Sequence, residues 1–334
     1  MRILVVSPIS TTAIGGPAYV TRSLVEQLQQ SGNEALATCP TRLEMRTFPL
    51  FRQILIFFRA VSVSRSFENL ILLDVTSTGL PFGLAARLLG KRVVVRVGGD
   101  FLWESYVERT GKAVLLSEFY SERRTLSLYE TMIKWATRTT LHLADDIVFT
   151  TPWLKQIWEA PYSLEQKSIH IISNPLPSRD LQPPPEKKVF LSSGRPMRIK
   201  NIEMLKNTVW PQIQKEYPEA VLDTEPKKHE EYKEALKSAY AVILPSLSDV
   251  SPNSILEAIS YGKPFICTKD TGLFETYKEA GIFVNTQNTE EMVFAIRTLL
   301  TPEGYAEAKS QVDAVVYPRD DKTLAEQYLE ILIP

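Results

Sequence analysis

Two carboxylates eight positions apart lie in the stretch "LSDVSPNSILEAISYGKPF", which follows the apolar run "YAVILPS". Asp249 lies in the loop after a predicted buried strand, and Glu257 lies about two turns into an otherwise apolar helix. Pro252 suits the first turn of that helix with Ser251 as its N-cap, and the free backbone N–H groups of such a turn attract anions. An acid on an apolar helix is unusual unless it meets a hydroxyl-rich ligand or a cation. A solvent-facing Glu257 is the alternative that the spacing leaves open.

The turn "SSGRPMRIKN" is the second candidate site element. Arg195, Arg198 and Lys200 lie within six residues of one another, between a predicted strand and a helix that begins near Asn201. Cations at the carboxyl end of a parallel strand suit a diphosphate. A solvated basic loop is the commoner explanation of such a run, so the prediction depends on an anion site lying opposite.

The first predicted strand leads into "SPISTTAIGGPAYV", in which Gly15 and Gly16 precede a helix. Small residues there let a ligand approach the backbone, and the start of the helix favours an anion. A tight connection without a ligand is an equally good interpretation. The G-x-G-x-x-G pattern of dinucleotide folds is missing, and the second strand ends in "TCP" rather than in an acid.

Composition excludes several classes of protein. The 334 residues are 44% apolar, enough for two domains with their own cores. The 38 basic and 39 acidic residues nearly balance, which argues against a nucleic-acid partner. Cys39 and Cys267 form no metal-spaced or redox pair, which favours a cytoplasmic protein. The opening "MRILVVSPIS" is typical of a first strand rather than a secretory signal, and no run reaches the roughly 18 apolar residues of a spanning helix.

Apolar β-rich runs alternate with helix-like segments, which predicts parallel sheets covered by helices on both faces. The predicted strands cover residues 3–6, 35–38, 70–73, 93–97, 146–150, 168–172, 188–192, 220–222, 240–245, 264–267 and 281–284. Five prolines from Pro175 to Pro185 separate the two sets. The predicted organisation is a first domain over 1–178, a linker over 179–186, a second domain over 187–317 and a C-terminal helix within 318–334, which can cover either domain and packs back on the first in the favoured arrangement.

Together these motifs resemble glycosyltransferase family 4, retaining enzymes of the GT-B fold that use sugar nucleotides. The resemblance runs along nearly the whole chain, from the early "GG" through "ADDIVFTTPWLKQIW", "ISNPLP" and "GRPMRIKN" to the acid pair with "AISYGKPFI". It implies an α/β protein of GT-B architecture, with two doubly wound Rossmann-like domains and a cleft between them. The first domain would bind the acceptor, and the shortened second domain would bind the nucleotide-sugar donor.

The resemblance also assigns roles to residues. Arg195 and Lys200 match the basic pair that neutralises the donor diphosphate, and Asp249 matches the first acid, usually Glu, which faces the sugar hydroxyls; these three are the predicted catalytic group. Glu257 matches the acid that holds the ribose. The implied donor-binding residues are Gly15, Gly16, Ser251, Asn253 and Glu257. No cofactor is implied, because the nucleotide sugar is a substrate.

Three departures from the family pattern limit these assignments. Many members carry a histidine after the fourth strand, where "VVVRVGGDFLWE" has Asp100, a candidate sugar or acceptor contact. The stretch "EAVLDTEPKKHEEYKEAL" replaces the family's glycine-rich strand end and base-contacting loop, so the base is not predicted. The first acid is Asp249 rather than Glu, and its side chain is one methylene shorter, which can alter the choice of sugar.

The histidines His142, His170 and His229 have no ligand spacing and no D-x-D cluster occurs, which predicts a metal-independent reaction.

The acceptor side is represented by "TRLEMRTFPLFRQILIFFRAVSVSRSF", which has five arginines and one glutamate. Apolar residues from Phe51 to Val61 recur at helical spacing, and a basic amphipathic segment around Arg52 and Arg59 can lie on the inner face of an anionic membrane. The favoured interpretation is a core-facing helix with a basic outer face.

The leading hypothesis is a retaining hexosyltransferase that moves a sugar from a nucleotide donor to a glycan or lipid-linked acceptor in polysaccharide or glycolipid biosynthesis. A nucleotide-sugar 2-epimerase or hydrolase on the same fold is one alternative, and it would change the sugar without an acceptor. A catalytically silent sugar-nucleotide binding protein is the other, and it would bind without turnover.

Overall fold

The computed structural model of the protein describes residues 1–10, 16–192, 194–316 and 323–333. Its backbone divides into two compact units. Unit 1 consists of Met1–Leu102, Thr125–Asn174 and Arg319–Pro334, and unit 2 consists of Trp103–Arg124 and Pro175–Pro318. Each unit is built on its own parallel sheet.

The sheet of unit 1 has six strands. They are β1 (Arg2–Val6), β2 (Glu34–Thr38), β3 (Asn69–Leu72), β4 (Arg92–Val97), β5 (Asp146–Phe149) and β6 (Ser168–Ile171). Their order is β2-β1-β3-β4-β5-β6, and all neighbours are parallel. Each strand lies within one or two residues of its predicted ends, the usual uncertainty of a boundary.

Helices cover both faces of this sheet. They are α1 (Gly16–Gln30), α2 (Arg42–Arg46), α3 (Pro49–Ser64), α4 (Gly79–Leu88), α7 (Leu128–Leu143), α8 (Pro152–Tyr162) and α16 (Leu324–Leu332), while α5 (Phe101–Thr110) begins in unit 1 and continues in unit 2. When right-handed crossovers add successive parallel strands in one direction along a sheet, the connecting helices lie on the same face of that sheet. Accordingly α3 packs on α4 and α4 on α7 in one layer, and α16 packs against α1 on the other face.

The helix α16 completes the core of unit 1. Its Leu324, Tyr328 and Leu332 are buried among Ile3 and Leu24 in one apolar cluster. This cluster lies between the sheet and the α1 side of the unit, so the C-terminal helix contributes to the first domain's core rather than lying on its surface.

Arg96 explains why a charged residue interrupts the apolar strand β4. Its side chain is 5% exposed and donates to the Ile172 carbonyl at 3.1 Å, to Asn174 Oδ1 at 2.7 Å and to Tyr328 Oη at 3.3 Å. A buried charge is tolerated when its donors are satisfied in this way. The arginine thereby links β4, the end of β6 and α16.

The sheet of unit 2 has five strands and is shorter. They are β7 (Val189–Leu191), β8 (Val221–Asp223), β9 (Ala241–Leu244), β10 (Phe265–Thr268) and β11 (Ile282–Val284), in the order β11-β10-β9-β7-β8. The helices are α6 (Leu116–Phe119), α9 (Ile202–Met204), α10 (Trp210–Glu216), α11 (His229–Ser238), α12 (Asn253–Ser260), α13 (Phe274–Tyr277), α14 (Thr289–Leu300) and α15 (Pro302–Asp313). All pairs are again parallel, and the predicted α/β fold is confirmed.

The division into units differs from the predicted boundaries in two segments, of which residues 175–178, predicted in the first domain, are the shorter and belong to unit 2. Residues 103–124, predicted within the first domain, group with unit 2. Hydrogen bonds hold them there, including one from Leu116 N–H to Ser248 Oγ at 2.8 Å and one from Gln287 Nε2 to the Ala113 carbonyl. Long-range contacts of this kind leave no periodic pattern in a sequence, so the sequence gives no sign that the segment belongs with unit 2.

The favoured interpretation of the basic segment is confirmed in that α3 faces the core, through Ile56 and Ala60, but it is wrong in predicting a basic outer face. On α3 the apolar residues Phe51, Ile54 and Phe58 are exposed, and the arginines Arg52 and Arg59 turn toward the protein. Arg59 pairs with Glu44 at 2.7 Å and also donates to Thr38 Oγ1 and to the Cys39 carbonyl, while Arg52 donates to three carbonyls at the end of α2. The arginines therefore brace α2, and the outer face of α3 is apolar.

Within residues 1–10, 16–192, 194–316 and 323–333, the helices are too short or too polar to cross a bilayer.

Candidate active site

The basic turn after β7 forms one side of the site in unit 2. A 3₁₀ turn over Arg198–Lys200 ends at Asn201, whose φ of +53° lies in the left-handed region. Asparagine tolerates that region better than most side chains, and Asn201 Nδ2 also donates to the Thr286 carbonyl at 3.2 Å. The turn is therefore fixed at its end, which limits where Lys200 can point.

Lys200 and Asp249 are in direct contact. Lys200 Nζ lies 2.6 Å from Asp249 Oδ2, and the two side chains are 20% and 16% exposed. Both residues were assigned to one donor molecule, Lys200 to its diphosphate and Asp249 to its sugar, and here the two charges neutralise each other. Burial raises the pKa of the Cys267 thiol, the Asp249 carboxylate raises it further, and the Lys200 charge acts in the opposite direction.

Backbone hydrogen bonds hold the Asp249 loop on both sides. Leu247 N–H donates to the Ile199 carbonyl at 2.9 Å, which joins the loop to the basic turn. Asp249 N–H donates to the Asp270 carbonyl at 3.1 Å, and Asp249 also forms a parallel bridge with Thr271 after β10. The carboxylate is thus positioned by three neighbouring strand ends, where ligands of parallel sheets bind.

The segment 103–124 supports this loop, a contribution that the sequence did not indicate. Leu116 N–H donates to Ser248 Oγ, and Ser248 Oγ donates in turn to an Asp270 carboxylate oxygen. Farther along, Glu108 Oε1 accepts from Ile199 N–H at 3.3 Å. Both sides of the Lys200–Asp249 pair are therefore tied to one segment from outside the second domain's own sequence range.

The helix start after Asp249 differs slightly from the prediction. The helix α12 begins at Asn253 with Pro252 in the N-cap position, so Ser251 lies before the cap and does not act as the N-cap. Proline has no side-chain oxygen to accept from the first turn. Ser251 and Asn253 are both half-buried and engaged in further interactions.

Glu257 lies half-buried on α12, near Tyr232 and Lys233 of α11. Burial raises the pKa of the Glu257 carboxyl from its ordinary 4.5 to about 7, and the Lys233 charge offsets only part of that rise. Burial, and secondly the Glu257 charge, raises the pKa of Tyr232, while a hydrogen bond with Ser254 acts the other way. The alternative of a freely solvated Glu257 is therefore excluded for this structure.

A cavity of about 710 Å³ opens beside the basic turn, within unit 2. Volumes of about 300–1,000 Å³ are typical of small-molecule sites. Its lining comes from α5 and the following turn, from the basic turn with α9, and from the end of β8, and it includes Glu108, Gly111, Lys112, Arg195, Arg198, Asn201, Lys206, Thr224, Glu225 and Leu247. Arg195 is exposed at this cavity, so its guanidinium can reach a bound anion.

Two predicted site residues belong to unit 1. Gly16 is the first residue of α1, and Gly15 lies outside the described residues. Asp100 is 2% exposed, and its Oδ2 accepts from Trp158 Nε1 at 2.8 Å. This carboxylate organises the packing of α8, and its burial argues against the predicted direct contact with sugar or acceptor.

The histidines show ordinary structural environments where they are described. His142 Nε2 lies 2.9 Å from the Tyr162 carbonyl, and His170 Nε2 lies 3.0 Å from Asp146 Oδ1. The side chain of His229 lies outside the described residues. Among the side chains that the structure describes, no three from His, Cys, Asp and Glu converge as metal ligands. The metal-independent reaction stays a prediction.

The region that contains the acid pair matches the model of a known protein family. A model of group 1 glycosyl transferases matches residues 224–302, which include Asp249 and Glu257. This region of the chain is therefore similar to the group 1 glycosyl transferase domain. The basic turn precedes the matched range. No curated protein sequence matches the chain.

Solved structures share the fold over nearly the whole chain. Sucrose-phosphate synthase from Thermosynechococcus elongatus has a TM-score of 0.70 at 14% identity, with 99% of this chain and 98% of that chain covered. HepE from Anabaena, solved with UDP and glucose, has a TM-score of 0.62 at 13% identity, with 99% of both chains covered. UDP-GlcNAc 2-epimerase from Methanocaldococcus jannaschii has a TM-score of 0.59 at 14% identity, also with 99% of both covered. The chain has the GT-B fold, and at these identities the likeness extends to the fold alone.

Proposed function

We propose that this protein is a retaining glycosyltransferase that transfers a sugar from a nucleotide-sugar donor to a glycan or lipid-linked acceptor. The observation that carries the proposal is the Asp249–Lys200 pair: the acid lies in the range that the group 1 glycosyl transferase model matches, and its partner comes from the basic turn that precedes this range. Arg195 lies exposed at the adjoining cavity. Cations, a sugar-facing acid and a half-buried second acid are the set that a sugar nucleotide requires.

The proposed reaction breaks the bond between the anomeric carbon and the donor phosphate oxygen. Negative charge then develops on the leaving diphosphate, and Arg195 and Lys200 stabilise it. The acceptor hydroxyl forms the new bond to the anomeric carbon, and its proton passes to an oxygen of the leaving diphosphate. Every atom is accounted for without a protein base or a metal. Retention of the anomeric configuration rests on the family resemblance.

The Lys200–Asp249 contact implies that donor binding breaks an ion pair. An incoming diphosphate competes with the Asp249 carboxylate for the Lys200 ammonium. When the phosphate takes the ammonium, the carboxylate is free to accept hydrogen bonds from sugar hydroxyls. The apo ion pair then exchanges for two ligand contacts, so neither charge is left unpaired in the complex.

Solved neighbours support a nucleotide donor. HepE was solved with UDP and glucose, and the epimerase is named for a UDP sugar. For this chain a nucleotide sugar is therefore the first ligand class to test. The base and the sugar are to be found by screening, because the segment that contacts the base in the family is shortened here.

The deciding experiment is a thermal-shift screen of nucleotide sugars followed by turnover with the best ligand. A ligand at 100 times its Kd stabilises the native state by about 2.7 kcal/mol, which gives a clear rise in Tm. Transfer to an acceptor with the anomeric configuration kept, as judged by proton NMR of fresh product, supports the proposal. A change in the sugar without acceptor would identify the epimerase or hydrolase instead, and binding without turnover over an acceptor panel would identify a silent binding protein.

A further inference from the structure

The outer surface of the α3–α4–α7 layer in unit 1 is strongly apolar. On α3, Phe51 is 60% and Phe58 66% exposed, and Ile54 and Leu55 lie between them on the same side of the helix. The opposite side of α3 is also apolar, since Ile56 and Ala60 are buried. One apolar side of α3 packs on the core of unit 1, and the other apolar side is left exposed as a surface that a partner can cover.

The neighbouring helices continue this surface. On α7, Leu128, Met132 and Trp135 are exposed at helical spacing, with Trp135 at 60%. On α4, Leu84 and Leu88 are exposed in the same way. Because α3 packs on α4 and α4 on α7, these residues belong to the outside of one helix layer. Single exposed apolar residues are normal, but an exposed apolar stripe on three adjacent helices marks a binding surface.

The charges of this layer have one sign at the surface. The exposed charged residues of α3, α4 and α7, and of α2 which packs on α3, are all basic, namely Arg42, Arg46, Arg87, Lys134 and Arg138. Of these, Arg87 lies 3.7 Å from the carboxylate of Asp145, which follows α7. The acids of these helices are Glu44 and Glu130, both nearly fully buried and used as capping-box residues. The whole chain has a net charge of −1, so this layer is a local basic surface on a nearly neutral protein.

We propose that the outer face of the α3–α4–α7 layer binds the surface of an anionic lipid bilayer. Phenylalanine, leucine and tryptophan side chains enter the boundary between headgroups and acyl chains, and the surrounding basic residues attract anionic headgroups. A second copy of this chain fits less well, because a symmetric pairing of the face with itself would bring like charges together. A glycosyltransferase held on a bilayer by its first unit would be placed to use a lipid-linked acceptor; that consequence rests on the proposed function, whereas the docking itself does not.

The test uses the full chain and sedimentation with vesicles of neutral phosphatidylcholine, with or without 30 mol% phosphatidylglycerol. We expect binding to the anionic vesicles that weakens as salt rises, and much weaker binding to neutral ones. Phe51→Ser with Phe58→Ser should lower the affinity more than tenfold. Arg42→Gln with Arg46→Gln should lower it about fivefold for each arginine removed.

Phe294→Ser is the matched control, because Phe294 is 71% exposed but lies on α14 of unit 2. This substitution should leave vesicle binding unchanged. Trp135→Ser tests the face through α7, independently of any effect on the fold of α3. In the wild type, vesicles should also shift Trp135 emission to shorter wavelength, and Trp135→Phe should abolish that shift. Unchanged binding in the Phe51/Phe58 and Trp135→Ser variants overturns the proposal. So does dimerisation through this face without vesicle binding. Because no step needs turnover, failure here is distinct from failure of the proposed function.

Discussion

Asp249 and Glu257 are two carboxylates eight positions apart that the protein treats in opposite ways. Asp249 is paired at 2.6 Å with Lys200, so its charge has a partner. Glu257 lies in surroundings that favour its neutral form, and its pKa rises to about 7. The difference arises from what each acid faces: Asp249 faces the basic turn, whereas Glu257 faces the helix α11. Similar residues on one short stretch therefore have different electrostatic roles, and each role can be tested separately.

The largest expected effect is on turnover when Asp249 is changed. Asp249→Asn should lower kcat by about 10²–10³-fold, because contacts to a sugar whose charge and shape change on reaction matter most in the transition state. Affinity for the nucleoside diphosphate should stay the same or tighten several-fold, since Lys200 loses its competing carboxylate. Calorimetry and steady-state rates measure the two effects. A loss of diphosphate affinity equal to the loss of donor affinity would show that Asp249 does not face the sugar.

The second effect concerns the other partner of the ion pair. Lys200→Ala should weaken nucleoside diphosphate binding by about 10–100-fold, the worth of a charge-assisted hydrogen bond, and Arg195→Ala should have a smaller effect in the same direction. The double variant Lys200→Ala/Asp249→Asn completes a cycle, in which strongly non-additive diphosphate affinities are expected because the residues touch. Unchanged affinity in both single variants would remove the phosphate assignment.

Glu257 should behave differently from Asp249. Glu257→Gln should weaken the nucleoside diphosphate and the intact donor by a similar factor, about tenfold, because both ligands carry the same ribose. Calorimetric titration of the same preparation with both ligands makes the comparison. Unequal losses would place Glu257 nearer the sugar, and no loss would leave it without a ligand role.

The smallest effect is a pH dependence of donor affinity. Glu257 is mostly protonated at pH 6 and mostly ionised at pH 8, and the ionised carboxylate accepts hydrogen bonds at both oxygens. Donor affinity should therefore rise several-fold between pH 6 and 8. The intact donor is the right ligand, since its diphosphate diester has no ionisation in that range, unlike a nucleoside diphosphate. The control is Glu257→Gln, whose affinity should be flat; an equal slope in both proteins would assign the titration to another group.

The same shift has a consequence for stability with a fixed sign. The folded-state pKa of Glu257 lies above the ordinary 4.5, so its contribution is fully present below about pH 4.5 and is lost as pH rises toward 7. The free energy of unfolding of the wild type, relative to Glu257→Gln, should fall over that interval. Denaturant titrations of both proteins at pH 4.5, 6 and 7.5 measure the difference, and a difference that grows with pH would contradict the assigned shift.

The strands of both sheets could be predicted because each is a short apolar run between polar turns. β4 is the instructive case: "VVVRV" contains a buried arginine, yet its neighbours carry enough β-branched residues to identify the strand. The basic turn after β7 and the helix α12, which carries Glu257, were likewise located by their residue types. Their mutual contact through Lys200 and Asp249 was not predicted, since a spacing along the chain does not say which side chains meet.

Orientation was the harder problem. The arginines of the segment around α3 were counted correctly, but a helix with apolar residues on both sides gives no period that separates inside from outside. The hydrogen bonds and the ion pair that Arg52 and Arg59 form with α2 and the residues around it show which side of α3 faces the protein. The support of the Asp249 loop by Leu116 and Glu108 was also beyond the sequence, because hydrogen bonds to backbone groups depend on the fold rather than on residue pattern.

Unit 1 cannot complete its core until the helix α16 has been synthesised. In the chain it follows all of unit 2, yet its Tyr328 and Leu332 fill the core of unit 1 and Tyr328 receives a hydrogen bond from Arg96. As a nascent chain leaves the ribosome, the part of the α1 face that α16 covers must stay exposed, and Arg96 partly unsatisfied, through the synthesis of roughly 150 further residues at about 5–20 residues per second. That interval, on the order of ten to thirty seconds, is the time in which the newborn first domain is most exposed to chaperones and to aggregation.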